Sequence, residues 1–228
     1  MAEVVKKGDF IELDYIGRLR TTNKVFDTTL KDVAKKENIA QKGVMYRPAY
    51  ACVGAKHVLI GIDEALEGKK IGDEFELDLE PEKAFGKRNP SHIQITTLAA
   101  FKDQEVKPVP GMQFSVDGAV ATVKSVSSGR VILDFNHPLA GRGLRYWVRI
   151  NKKIEGLENK VKALINTLLG KDVEVKKEDK KLSIGLDMDS LITDKIKEKI
   201  IELVPESKGF DVVFGDKKEK LKETKEKK

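Results

Sequence analysis

The chain has 228 residues, 40% of them hydrophobic and 35% charged, about one and a half domains by length and too apolar for wholesale disorder. Cys52 has no disulfide partner within the monomer, no apolar run approaches the ~18 residues that span a bilayer, and the opening MAEVVKKGDF lacks a signal peptide's apolar stretch, so a cytoplasmic protein without a membrane partner is expected. Half of the net charge of +6 comes from the last 13 residues and the rest from Arg142, Arg145 and Arg149, which leaves no clustered basic face for nucleic acid.

In chain order, Ile11, Leu13 and Tyr15 alternate with Glu12 and Asp14, which predicts a half-buried strand from Gly8 to Leu19. A second strand should end at Val25-Phe26-Asp27. Residues 28–53 read as irregular, with a short helix near Lys31–Asn38. Val58-Leu59-Ile60-Gly61 then leads into IDEALEG, a two-turn helix that Gly68 ends. In DEFELDLE (73–80), Phe75, Leu77 and Leu79 alternate strictly with acids, the mark of a strand with one dry face.

Beyond Phe85-Gly86 the charge density drops, with 10 charged residues among positions 87–137. Three strands are predicted here, at 112–117, 119–126 and 130–135. Asp117-Gly118 and Ser127-Ser128-Gly129 supply the turns between them. LRYWVRI (144–150) is a further strand. Helical spacing of apolar residues follows from Lys152, with Ile154, Leu157, Val161, Leu164, Ile165 and Leu168 on one face and Gly170 as the stop. Strands at 172–177 and 181–187, a helix from Asp189 or Ser190 to Leu203, and a strand at 210–215 complete an αββαβ unit. The charged segment 216–228 reads as a disordered tail.

The usual catalytic machinery is missing. His57, His92 and His137 do not stand at ligand spacing with one another or with Cys52, so no metal is expected. There is no phosphate loop, dinucleotide fingerprint or nucleophile elbow. Cys52 reads as a small core residue.

An ordered series of landmarks is more informative: Asp14-Tyr15-Ile16-Gly17, Val25-Phe26-Asp27-Thr28, Val58-Leu59-Ile60-Gly61-Ile62-Asp63-Glu64-Ala65-Leu66, Gly72-Asp73 and Ala84-Phe85-Gly86. Taken singly, Phe26, Val58, Leu59 and Ile62 are core residues and Asp27 is a turn residue. Taken in order, the series resembles the FKBP family of peptidyl-prolyl isomerases, over residues 8–86 and 144–150. About 50 residues stand where the family has a short flap, closing with Asn136-His137-Pro138-Leu139-Ala140-Gly141, which resembles the insert-in-flap domain of the SlyD-like branch. The whole arrangement is similar to long archaeal members.

The resemblance implies an α+β fold, with an FKBP-like antiparallel sheet wrapped on a short helix, an inserted small β domain and the αββαβ C-terminal domain. The expected boundaries are 1–87 with 138–150 for the isomerase, 88–137 for the insert, 151–215 for the C-terminal domain and 216–228 for the tail. It also implies the site. Tyr15, Phe26, Asp27, Phe85 and Tyr146 take the catalytic positions, Phe85 replacing the usual tyrosine. Val58, Leu59, Ile62 and Leu139 take the substrate pocket, with a wall residue near Ala49 or Tyr50 and Ile62 as the floor. Rotation about X-Pro breaks no bond, so no nucleophile, metal or cofactor is required. In the insert, Ile93, Leu98, Phe101, Met112, Phe114 and Val116 exceed what a small core can hide and form an expected patch for unfolded chains, which the SlyD-like resemblance also implies. The expected partners are unfolded or proline-containing polypeptides. Two other readings remain open: a holdase with an idle pocket, and an assembly module whose C-terminal domain joins two copies as a homodimer.

Overall fold

The computed structural model describes residues 3–104, 107–116 and 118–215. The charged tail and Asp117 of the expected hairpin turn lie outside the described residues. The chain forms two compact units, one running to Asp78 and resuming at Arg145, the other spanning Leu79–Leu144.

The first unit is built on β1 (Phe10–Leu19), in which Phe10, Ile11 and Leu13 are fully buried. It pairs antiparallel with β2 (Val25–Thr28) along one half and with β3 (Ala49–Cys52) along the other. With β4 (Glu74–Leu79) and β9 (Leu144–Lys153) these strands make a five-stranded sheet ordered β2-β1-β9-β4. The strict alternation in β9 buries Leu144, Tyr146, Val148 and Ile150 on one face. Between β2 and β3 lies the short α1 (Lys31–Lys36). Between β3 and β4 lies α2 (Ile60–Leu66), which buries Ile62 and Leu66. The carboxylate of Asp63 on α2 accepts the N–H groups of Gly54 and Lys56, both at 2.9 Å, and so ties the preceding loop to the helix. Gly68 then adopts φ +82, the left-handed conformation that closes a helix at low cost to glycine alone.

The second unit carries a four-stranded antiparallel sheet ordered β5-β8-β7-β6: β5 (Ile93–Thr97), β6 (Gln113–Val116), β7 (Ala119–Ser127) and β8 (Arg130–Asp134). The hairpin and turn chemistry at 118 and 128–129 pairs β6 with β7 and β7 with β8, the latter with a register shift between Val123 and Ser125. β5 was not expected, although Ile93, Ile95 and Thr97 alternate. β3 was also missed, because AYAC carries no polar partner positions to reveal a period of two.

The C-terminal αββαβ elements are α3 (Leu157–Leu169), β10 (Val175–Glu178), β11 (Lys181–Ile184), α4 (Ser190–Leu203) and β12 (Asp211–Phe214). β10 runs antiparallel and β12 parallel to β11. Asp189 caps α4 by accepting the N–H of Leu191 at 2.9 Å. α3 begins later than its apolar spacing suggests: β9 continues to Lys153, and Gly156 at φ +81 separates strand from helix. Ile154 matched the helical period because it is buried in the cluster that α3 also joins. That cluster contains Phe10, Cys52, Val161, Leu164, Leu182 and Ile200. Residues 151–215, expected as a domain of their own, therefore share one core with β1 and β3. Among the described residues no helix is long and apolar enough to cross a membrane.

Candidate active site

The β1–β2 pairing sets Gly17 opposite Asp27 and Ile16 opposite Thr28, which brings the expected first-strand and second-strand residues together. The Tyr15 hydroxyl donates to Asp27 Oδ2 at 3.0 Å. Tyr146 on β9 packs beside both, its ring centroid 5.9 Å from Tyr15 in a tilted contact and 5.9 Å from Phe26 edge-on. Burial, reinforced by the Asp27 charge, holds both tyrosine hydroxyls protonated well above the ordinary phenol range. Gly17 makes this cluster fit. A Cβ there would stand 2.8 Å from Phe26 Cζ and 2.9 Å from Tyr146 Cζ.

A polar layer fixes the backbone under these rings. Asp14 is buried, and its carboxylate accepts from Thr29 Oγ1 at 2.7 Å, Asn151 Nδ2 at 2.9 Å and Arg149 Nη2 at 3.3 Å. A buried carboxylate persists only when it is paired in this way. Thr29 Oγ1 in turn accepts the Tyr15 N–H at 3.0 Å, and Thr28 Oγ1 donates to the Tyr15 carbonyl at 2.9 Å. Tyr15 is thus held from both sides of its peptide. The roles of Asp14, Gly17, Thr28 and Thr29 were not foreseen, although the first three lie inside the quoted landmarks and Thr29 directly follows one.

A cavity of about 360 Å³ opens beside Tyr15, Phe26 and Asp27. Its far wall is the segment between α1 and β3, through Ile39, Val44, Met45, Tyr46 and Ala49, and Asn166 of α3 also lines it. Of the two expected wall positions, Ala49 is there. Tyr50 instead packs against the C-terminal cluster and lines a second cavity of about 430 Å³ that holds none of the other expected site residues. Val58, Leu59 and Ile62 do not line the first cavity. Ile62, expected as its floor, is 2% exposed on the inward face of α2, and Val58 and Leu59 are half-buried ahead of that helix. Cys52, expected as a small core residue, is buried in the cluster that α3 joins, and burial together with Asp63 and Asp9 pushes its pKa up to about 11.

Phe85 and Leu139 belong to the second unit. Phe85 stacks on His137 with centroids 4.2 Å apart and planes within 5°, and His137 Nδ1 accepts the Leu139 N–H at 3.2 Å. The expected apolar patch of this unit divides in two. Phe101 is a core residue meeting Phe114 edge-on at 5.3 Å, and Met112, Phe114 and Val116 pack against the same cluster. The reason is that a small sheet needs such residues for its core. Ile93 is half-buried and Leu98 exposed. Among the described residues of this unit, the most exposed large apolar ones are not foreseen, Ile95 at 67% and Val120 at 60%.

A strand-built tyrosine–aspartate pair, an aromatic cluster seated on a glycine and an inserted β unit define a class of rotamase, and comparison with known proteins agrees. The family model described as FKBP-type peptidyl-prolyl cis-trans isomerase matches residues 2–104, and one described as FKBP26, IF domain, matches residues 94–139. A short-type peptidyl-prolyl cis-trans isomerase of Methanocaldococcus jannaschii is 35% identical over 150 residues, covering 66% of this chain and 94% of that protein. A probable FKBP-type 16 kDa isomerase of Pseudomonas fluorescens is 37% identical, covering 45% of this chain and 71% of the relative. The SlyD isomerase of Pasteurella multocida is 34% identical over 42% of this chain and 50% of its own. The chain belongs to the FKBP-type peptidyl-prolyl cis-trans isomerase family. It is a peptidyl-prolyl cis-trans isomerase.

Proposed function

We propose that isomerisation takes place in the cavity beside Tyr15 and Asp27. An X-Pro bond rotates over a barrier of ~18–20 kcal/mol, set by loss of amide resonance in the twisted state. The twisted amide is less polar than the planar one, so the aromatic rings of Tyr15 and Phe26 at the cavity, backed by Tyr146, favour it differentially. A thousandfold acceleration needs only about 4 kcal/mol of such preference. The observation that carries this reading is the hydrogen bond from the Tyr15 hydroxyl to Asp27 Oδ2 at the cavity. It keeps one carboxylate oxygen occupied and aims the charge at the site, where it acts on the carbonyl carbon of the bound imide. An Asp27→Asn variant should lose about tenfold or more in kcat/KM on X-Pro peptides, and Tyr15→Phe should lose less, because the carboxylate survives. If Asp27→Asn retains wild-type kcat/KM, this placement of the chemistry is wrong. If Tyr15→Phe loses as much as Asp27→Asn, the aspartate acts only by orienting the tyrosine.

The inserted unit supports a second role, holding unfolded chains. Ile95 and Val120 stand on its sheet exposed by 67% and 60%, and β5 and β6 are the outer strands of that sheet. Because the unit is on the same chain as the cavity, a client held there meets the isomerase site at raised effective concentration. An Ile95→Asp, Val120→Asp double variant should slow catalysis of proline-limited refolding while leaving short-peptide isomerisation unchanged. Unaltered refolding catalysis would remove the chaperone role from these residues.

A further inference from the structure

The segment that forms the far wall of the cavity, residues 39–49, has its own internal bonds: Tyr46 Oη accepts the Gln41 N–H at 3.1 Å and donates to the Ile39 carbonyl at 3.4 Å. Its tie to the C-terminal elements is Arg47. Arg47 Nη1 donates to Asp172 Oδ2, and Nη2 donates to the Gly170 carbonyl at 3.0 Å. Gly170 closes α3 in the left-handed conformation at φ +64, so its carbonyl stands at the negative end of the helix, where a guanidinium is favoured. Asp172 also accepts from Asn166 Nδ2 at 2.6 Å. Asn166 is buried and itself lines the cavity.

We infer that the C-terminal region is part of the isomerase site: the Arg47–Asp172–Asn166 cluster holds the 39–49 segment as a wall that takes an apolar side chain of the substrate. The bland alternative is a staple that merely fastens the C-terminal region to the sheet. That fastening already has other means. α3 shares a buried cluster with Phe10 and Cys52, and Thr167 Oγ1 donates to the Tyr50 carbonyl at 3.0 Å. Arg47 instead grips the segment whose Val44 and Met45 are 48% and 72% exposed and which lines the cavity. Two such exposed apolar side chains have no packing reason to stand at the cavity with Tyr15 and Asp27, and a bound apolar group would supply one. Arg47 is accordingly a positioning residue: its fork reaches two acceptors at once, which a lysine cannot do.

This inference rests on the cavity beside Asp27 being the isomerase site. The test measures KM and kcat of the full chain on X-Pro peptides carrying either leucine or alanine next to the proline. Arg47→Ala and Asp172→Ala should each raise KM about fivefold on the leucine peptide with kcat nearly unchanged, the modest size of a half-exposed charge pair. The alanine peptide should respond less, and Arg47→Lys should fall between. The double variant should be no worse than either single one, because both remove the same contact. Single variants within about twofold of wild type, or single effects that multiply in the double variant, would overturn the inference. Asp27→Asn separates the two levels. If it is impaired while the Arg47 variants are not, the clamp is wrong and the site stands. If the Arg47 variants are impaired while it is not, the wall stands and the Asp27 placement falls. Should a variant not fold, titrating the wild type with the leucine peptide must shift the Asn166 side-chain amide resonance, and an unmoved resonance also overturns it.

Discussion

Replacing Gly17 by alanine adds one methyl group at the most crowded point of the site. That methyl would meet Phe26 Cζ at 2.8 Å, Tyr146 Cζ at 2.9 Å and Tyr146 Cε1 at 3.0 Å. These are ring atoms, and the Tyr146 ring, 3% exposed, has no room to swing away. Relief must come from Phe26 or from the β1–β2 pairing, which already shifts register between Gly17 and Arg18. Overpacking of this kind costs about 1–3 kcal/mol. Gly→Ala also stiffens the unfolded chain, worth about 0.4–1 kcal/mol in the other direction. The clash wins, and the expected net loss is about 1–2 kcal/mol, or roughly 2–8 °C in Tm for a chain of this size. Because either movement shifts Phe26 and its strand relative to Tyr146, kcat/KM on X-Pro peptides should fall as well. Urea titration followed through Trp147, with peptide kinetics at a temperature where the variant is folded, measures both quantities. A variant with wild-type stability and wild-type kcat/KM would refute the argument that glycine is required to seat the aromatic cluster.

Three further outcomes follow from buried polar groups. Burial works against the Asp134 charge, but hydrogen bonds from Asn136, the Arg88 charge and Lys124 outweigh it and hold the pKa at about 2. Its folded pKa lies below the ordinary 3.8, so its contribution, roughly 2 kcal/mol, is present above pH 4 and lost as pH falls from about 4 to 2; calorimetry of the chain and an Asp134→Asn variant should show the acid-induced loss in the former and a flattened profile in the latter. Thr29→Val keeps the shape but removes the donor to Asp14 Oδ1 and the side-chain acceptor of the Tyr15 N–H, and should cost about 1–3 kcal/mol in denaturant unfolding. Cys52, buried and with its thiol pKa near 11, should resist iodoacetamide at pH 8 in the native protein and react fully in guanidinium.

What was legible in the sequence follows the range of the interactions concerned. β1, β4 and β9 announce themselves through strict alternation, and α3 and α4 through apolar spacing with Gly170 and Asp189 at their ends, because each of those patterns is local. The Tyr15–Asp27 pair was legible for a different reason: β1 and β2 are neighbours in the chain, and a recognised order of landmarks stood in for their register. The far wall had neither advantage. Met45, Tyr46 and Arg47 lie in a stretch without periodicity, and the atoms that hold them, Gly170 O and Asp172 Oδ2, come more than 120 residues later. The same distance in sequence misled the reading of residues 151–215 as separate, since Phe10 and Cys52 carry no mark that their core is completed by α3. The extra residues before β3 bring Ile39, Val44 and Met45 to the cavity, while Ile62, expected as its floor, packs on the inward face of α2. If that longer segment sets which side chains the enzyme accepts, shortening it while keeping Tyr15 and Asp27 should change preference among X-Pro peptides more than it changes the rate on the best of them. That ordering is the one expected when the residues that lower the barrier and those that choose the substrate stand on different parts of the chain.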